Sequence, residues 1–272
     1  MIPRDSSLSR QVPGTNGKMG AFEPRAFGMP SPFAATSPRL TARIAGGLYL
    51  AYILTTALAT YLRSTLITGN AATTTDNLLA RPDVLRLAFV TDLVSALLFF
   101  FAAWALYTLL RPVNENFGLL FLLLNLGGVI VQAVNALNLL AALQVLNDSN
   151  YVSSFSTVQL QAIVMNDINL YNNGFMIAQI FYGTWVLPLG YLVYKSGFLP
   201  RFLGALLMVD ALAILFWFSQ YFLLPSYSTL SYPALAVSFI AEFGLALWLT
   251  LMSVKTRHPP TAMGKEVGQR VA

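Results

Sequence analysis

The chain has 272 residues, 56% of them apolar and 10% charged. A water-facing surface on a domain of this size usually draws on about 25% charged residues, so a soluble enzyme is excluded, as is disorder over the whole chain. Cysteine is absent and histidine occurs once, as His258, which excludes disulfides, thiolate chemistry, Cys-based zinc or iron–sulfur centres and Ser–His hydrolysis. The composition implies no cofactor, and the excess of basic residues needs no nucleic acid once its placement is followed along the chain.

Residues 1–40 hold six prolines and four glycines, with Arg4, Arg10, Lys18, Arg25 and Arg39 among them. No apolar run follows the early basic residues, so this stretch reads as a disordered basic arm and not as a signal peptide. From Ile44 the character changes. A helix needs about 20 apolar residues to cross the hydrocarbon core. Six stretches qualify, near residues 43–66, 84–110, 117–146, 173–194, 199–224 and 232–255. They are continuously apolar, not alternating, which favours helices over a barrel. Loop 67–83, rich in Thr and Asn, is expected to be irregular. In 147–172, Ser156-Thr157-Val158-Gln159 fits a capping box, followed by Leu160, Ile163, Val164 and Ile168 at near-helical spacing. This predicts a short extra helix before the fourth span, or a polar extension of that span.

Stop signals punctuate the spans. Arg111-Pro112 ends the second and Ser196-Gly197 with Pro200 makes a tight turn. Pro225 closes the fifth span, Pro233 suits the first turn of the sixth, and Pro188 predicts a kink in the fourth. The expected architecture is all-α: a six-transmembrane-helix bundle over 41–256 with a basic cytoplasmic tail at 257–272. With the N-terminus inside, 13 of the 16 Lys and Arg residues face the cytoplasm, leaving only Arg63, Arg81 and Arg86 outside. The positive-inside rule then places both termini in the cytoplasm, in a multi-pass protein of the cytoplasmic (inner) membrane.

Three segments carry a resemblance: Arg43-Ile44-Ala45-Gly46-Gly47-Leu48-Tyr49, Leu110-Arg111-Pro112-Val113-Asn114, and the run from Gly190 through Lys195-Ser196-Gly197-Phe198-Leu199-Pro200-Arg201 to Gly204. Together they resemble the bacterial membrane family known as domain of unknown function 4386, over about residues 40–255. The resemblance implies architecture and no mechanism. Members carry a His or acidic residue just before the glycine matching Gly174, whereas this chain has Tyr171-Asn172-Asn173 there.

Charged and amide side chains inside the spans are costly and therefore mark candidate functional positions. A rise of about 1.5 Å per residue puts Asp92 ~12 Å and Glu242 ~15 Å from the outer end of their helices, with Asn135 and Asn138 at similar depth. Asp210 lies nearer the middle. The candidate intramembrane site is Arg63, Arg86, Asp92, Gln132, Asn135, Asn138, Asp210 and Glu242, a polar pocket facing outward in which either arginine could pair with Asp92 or Glu242. Gln132, Asn135 and Asn138 step by three along one helix, which equally suits bonding between helices. No metal-ligand set or phosphate loop is present in the sequence.

Three functions compete. The favoured one is non-enzymatic: a membrane protein that binds a small or lipid-like ligand, or an accessory subunit of a larger membrane complex. A small proton-coupled transporter would use Asp92, Asp210 or Glu242 as titrating groups. A lipid-modifying enzyme with a carboxylate pair ranks last.

Overall fold

The computed structural model describes residues 37–252; the arm before Ser37 and the tail after Met252 lie outside the described residues. Helix α1, Pro38–Ser64, opens on the Ser37 side chain, which accepts from the Leu40 amide, with Pro38 at the position where a missing N–H costs nothing. It therefore starts a few residues earlier than the periodicity suggests. The segment expected to be irregular contains helix α2, Ala71–Ala80, capped by Asn70 Oδ1 accepting from the Thr73 amide. Its polar composition hid a cap: Thr and Asn satisfy the first-turn amides from side chains, and Leu78 anchors the helix inward at 0% exposure.

Helix α3, Pro82–Leu110, follows directly. The third predicted span is divided into α4, Glu115–Asn135, and α5, Leu137–Asn147. The division falls between Asn135 and Asn138, whose side chains bond to each other at 3.0 Å. Helix α6, Ser149–Ser154, is a single short piece. Helix α7, Thr157–Lys195, then runs unbroken for 39 residues from the Ser156–Gln159 capping box. Of the two alternatives for 147–172 the polar extension is realised, since the residues after the Ser156 cap are the first part of α7, and α6 is a further short piece before that cap. Pro188 sits within α7 without dividing it. Helix α8, Arg201–Leu223, a 3-10 helix at Pro225–Leu230 and α9, Ser231–Leu251, complete the chain.

Six helices are long and apolar enough to cross a membrane, α4 with α5 counting as one and the 3-10 helix joining α9. Among the described residues there is no strand. The chain is a multi-pass, all-helical membrane protein.

Apolar surface gains little from hiding in a medium that is itself apolar, so close helix approach carries more of the stability. Glycines supply it. A Cβ on Gly46 would lie 2.5 Å from Thr250 Oγ1 and 2.8 Å from the Ala246 carbonyl, so α1 and α9 touch backbone to backbone. Gly190 and Gly204 do the same for α7 and α8, where a Cβ on Gly190 would come within 2.9 Å of the Gly204 carbonyl. Gly197, in the turn between those two helices, has φ +72°, a left-handed conformation that L side chains resist.

The buried residues form two apolar cores. The larger lies within the spans and centres on Tyr49, Phe99, Phe121 and Trp185, with the Phe99 ring edge-on to Trp185 at 5.1 Å. The smaller gathers Leu66, Leu78, Leu85, Leu139, Val164 and Ile168 from the chain after α1, from α2 and from the near ends of α3, α5 and α7. At ~58 Å, α7 is about twice as long as the hydrocarbon core is thick, so it reaches beyond the spans to build this second core.

Candidate functional site

Between the two cores lies a polar layer assembled from one stripe per helix. On α1, Tyr49, Tyr52, Thr56 and Arg63 recur at steps of three, four and seven, which is one helical face. On α3, Asp92, Ser95 and Phe99 do the same. These two helices run antiparallel, so the stripes meet in order. Arg63 pairs with Asp92, the Thr56 and Ser95 hydroxyls bond, and the Tyr52 and Phe99 rings stack at 4.0 Å and 8°. Helix α7 adds Tyr171, Phe175, Gln179 and Tyr182, α8 adds Asp210, Ile214 and Trp217, and α9 adds Ser238 and Glu242.

Asp92 is the best-satisfied charge. It accepts from Arg63 and from the Tyr171 hydroxyl at 3.1 Å. The Arg63 guanidinium also donates to Thr60 Oγ1 at 3.1 Å and lies over the Tyr171 ring, 5.2 Å from its centroid. Side-chain exposures of 12% and 7% make Arg63–Asp92 a nearly buried pair that cancels its own charge. Tyr171 also belongs to the smaller core, so that core sits against the ion pair.

A cavity of about 180 Å³ occupies the middle of the layer. Its polar wall includes Arg63, Asp92, Gln132, Gln179, Ser238 and Glu242, and its apolar wall includes Phe99, Phe175, Tyr182, Ile214 and Trp217. Two wall groups have unspent hydrogen-bonding capacity. Gln132 Oε1 has no partner, and Gln179 Nε2 reaches only its own helix, at 3.5 Å to the Phe175 carbonyl. Glu242 accepts from the Tyr49 hydroxyl at 2.7 Å, and the two ion pairs found among the described residues, Arg63–Asp92 and Arg86–Asp83, leave it without a cation. Asp210 stands near Glu242, fully buried, with the Ser238 hydroxyl as its polar neighbour and no cation among the described residues.

The structure therefore brings Arg63, Asp92, Gln132 and Glu242 around one cavity, with Asp210 behind the last. It sets three predicted residues apart. Arg86 pairs at 3.1 Å with Asp83 one turn away on the exposed start of α3, because its position turns outward from the stripe of Asp92. Asn135 donates to the Tyr171 carbonyl at 2.8 Å and Asn138 donates to Asn135, so both tie α4 and α5 to α7. Gly174 makes room for that amide, since a Cβ there would overlap Asn135 Oδ1.

Sequence reasoning passed over Tyr49, Tyr52, Thr56, Ser95, Tyr182 and Ser238, because hydroxyls are cheap in a span and rings suggest an interface. The signal that reveals them is register: Tyr49, Tyr52 and Thr56 share the face of Arg63. Among the described residues no group of three or more His, Asp or Glu side chains could hold a metal.

The match to known families covers all of this bundle but the first residues of α1. The family model described as Domain of unknown function (DUF4386) matches residues 44–252. The chain belongs to the DUF4386 family. A curated relative, an uncharacterized protein of Archaeoglobus fulgidus, is 30% identical over 107 residues, 39% of this chain. The chain spans about half the length of that relative, 50%. No solved structure matches this DUF4386 chain.

Proposed function

We propose that this DUF4386 chain is an intramembrane binding protein that takes a small ligand into the cavity between its spans. The observation that carries the reading is a cavity of about 180 Å³ whose wall holds Glu242, a carboxylate without a cation among the described residues. Buried polar groups are normally satisfied, so unspent capacity facing a space is what a ligand would complete. For scale, a cavity of about 150 Å³ admits a benzene-sized molecule.

The test is a stability screen of the protein in nanodiscs against small polar and amphipathic compounds, run beside Ala96→Trp, which fills the cavity from α3. A ligand at a hundred times its Kd stabilises its receptor by about 2.7 kcal/mol. A compound that stabilises the parent and not the filled variant supports the reading. A screen in which none discriminates between the two overturns it.

The orientation that accompanies this reading puts both termini in the cytoplasm of a bacterial cell. Arg39, Arg43, Arg111, Lys195 and Arg201 flank one end of the spans, while Arg63, Arg81 and Arg86 flank the other, which supports it. A second reading, a proton-coupled carrier, is favoured by one observation: Asp210 and Glu242 are neighbouring carboxylates without a cation between them. Transport in proteoliposomes unchanged by Glu242→Gln and Asp210→Asn would dispose of it.

A further inference from the structure

A second hollow adjoins the cavity. About 300 Å³ in volume, it lies between α1 and α9 and shares Tyr52, Thr56, Ser238 and Glu242 with the cavity wall. Its remaining wall is apolar: Ile53, Ala57, Phe239 and Phe243. Phe239 is 61% exposed on the flank of α9, the flank that faces lipid in a spanning helix. The two helices meet tightly near Gly46 and Thr250, toward the start of α1 and the end of α9, and the hollow lies between them from Tyr52 to Ala57. The polar chamber thus has an apolar cleft beside it, on the lipid-facing side of α1 and α9, with four residues common to both walls.

Charge decides what the chamber would receive. Arg63 and Asp92 neutralise one another, and the carboxylate shared by cavity and cleft is Glu242, held by the Tyr49 hydroxyl and backed by Asp210. What the chamber lacks is therefore a cation, since Glu242 and Asp210 are acidic groups with none beside them among the described residues. The rings of Tyr52, Phe99, Tyr182 and Trp217 line the same space, and aromatic faces attract cations. An ammonium would give that carboxylate the cation it lacks, whereas an anionic head would not.

We propose that the ligand is a cationic amphiphile, one ammonium head on a single apolar chain, which enters from the lipid between α1 and α9, sets its head against Glu242 and leaves its chain in the cleft. This rests on the binding reading above and adds the class of ligand and its route. Binding is non-covalent throughout.

The test is equilibrium binding to the full chain in nanodiscs, corrected for empty nanodiscs, using radiolabelled dodecylamine, dodecanol, dodecanoate and butylamine. The expected order is dodecylamine tightest, with dodecanol and dodecanoate at least tenfold weaker. Glu242→Gln should lose at least tenfold for dodecylamine and leave dodecanol unchanged. Ala57→Trp, which plugs the cleft, should abolish dodecylamine binding while butylamine still reaches the chamber. Both variants are checked for the parent's elution profile, and Tyr49→Phe serves as a milder perturbation of the same carboxylate should Glu242→Gln fail to fold. Equal binding of dodecylamine and dodecanol overturns the ammonium assignment. Butylamine binding as tightly as dodecylamine overturns the lateral route, and tighter dodecanoate lost in Arg63→Gln reverses the charge; in each of these results the cavity still binds. Absence of binding by all four, together with a negative stability screen, removes the cavity reading itself.

Discussion

The Arg63–Asp92 pair offers the sharpest test of the polar layer. Breaking a nearly buried pair by removing one partner costs about 3–5 kcal/mol when the charge left behind cannot escape. The two partners differ in that freedom. Arg63 is the penultimate residue of α1, next to Ser64, and its long side chain can turn toward the interface. Asp92 lies ten residues into α3, ~15 Å from its start, on a short side chain that cannot. Arg63→Gln should therefore cost about 3 kcal/mol, toward the full penalty, and Asp92→Asn about 2 kcal/mol, since the freed guanidinium keeps Thr60 and the Tyr171 ring. The double variant Arg63→Gln/Asp92→Asn removes both charges and keeps two amides that can bond, so it should cost about 2 kcal/mol where independent effects would reach about 5. The coupling of about 3 kcal/mol sits at the upper end for residues in contact. Reversible unfolding in mixed micelles, read by tryptophan fluorescence, measures all three variants. Additive single and double variants would refute the claim that these charges hold each other.

Further outcomes follow from the packing. Gly46→Ala should destabilise by about 1–3 kcal/mol, because its Cβ meets the Thr250 backbone, whereas Gly47→Ala, with nothing within 4 Å, should be neutral or gain up to about 1 kcal/mol in helix propensity; thermal melts of the pair in one detergent check this. Asn135→Ala should cost about 0.6 kcal/mol, a typical interhelical hydrogen bond in a membrane, and Gly174→Ala more, because it displaces the same amide and gains nothing; the same unfolding assay ranks them. Gly197→Ala should lose about 1 kcal/mol from its left-handed backbone, and Gly197→Asn should lose less, again by unfolding. The chain has no cysteine, so single cysteines report sidedness cleanly: in intact cells an impermeant maleimide should label Ser153→Cys and Ser228→Cys but not Ser196→Cys, and the opposite pattern would invert the topology.

The fold was legible because long apolar runs leave a spanning chain few alternatives. The boundaries were less so. Helix α2 was hidden because its cap is made by Asn70 and its inner face by threonines, residues that also mark loops. The division at Asn135 was hidden because it falls inside an apolar run and depends on an amide satisfied by another helix. Within the site, Arg63, Asp92, Gln132 and Glu242 announced themselves by cost alone. Arg86 carried the same cost signal and belongs elsewhere, because depth along a helix says nothing of direction around it. The hydroxyls of Tyr49, Tyr52 and Thr56 are cheap in a span, so only their alignment with Arg63 distinguishes them, and their partners come from α3 and α9, far off in sequence.

Helix α7 runs without a break through both apolar cores and the polar layer between them. A rod of this kind has no independent halves. Leu160 and Val164 anchor it in the smaller core, Gln179 and Tyr182 meet the cavity, and Gly190 is clamped on Gly204 at its far end. A swing of α7 that widened the chamber at Tyr182 would also move the Tyr171 hydroxyl relative to Asp92, because both tyrosines lie on the same unbroken helix. A displacement of α7 at the chamber would therefore be felt in the smaller core, some four helical turns away, where Leu160 and Val164 pack.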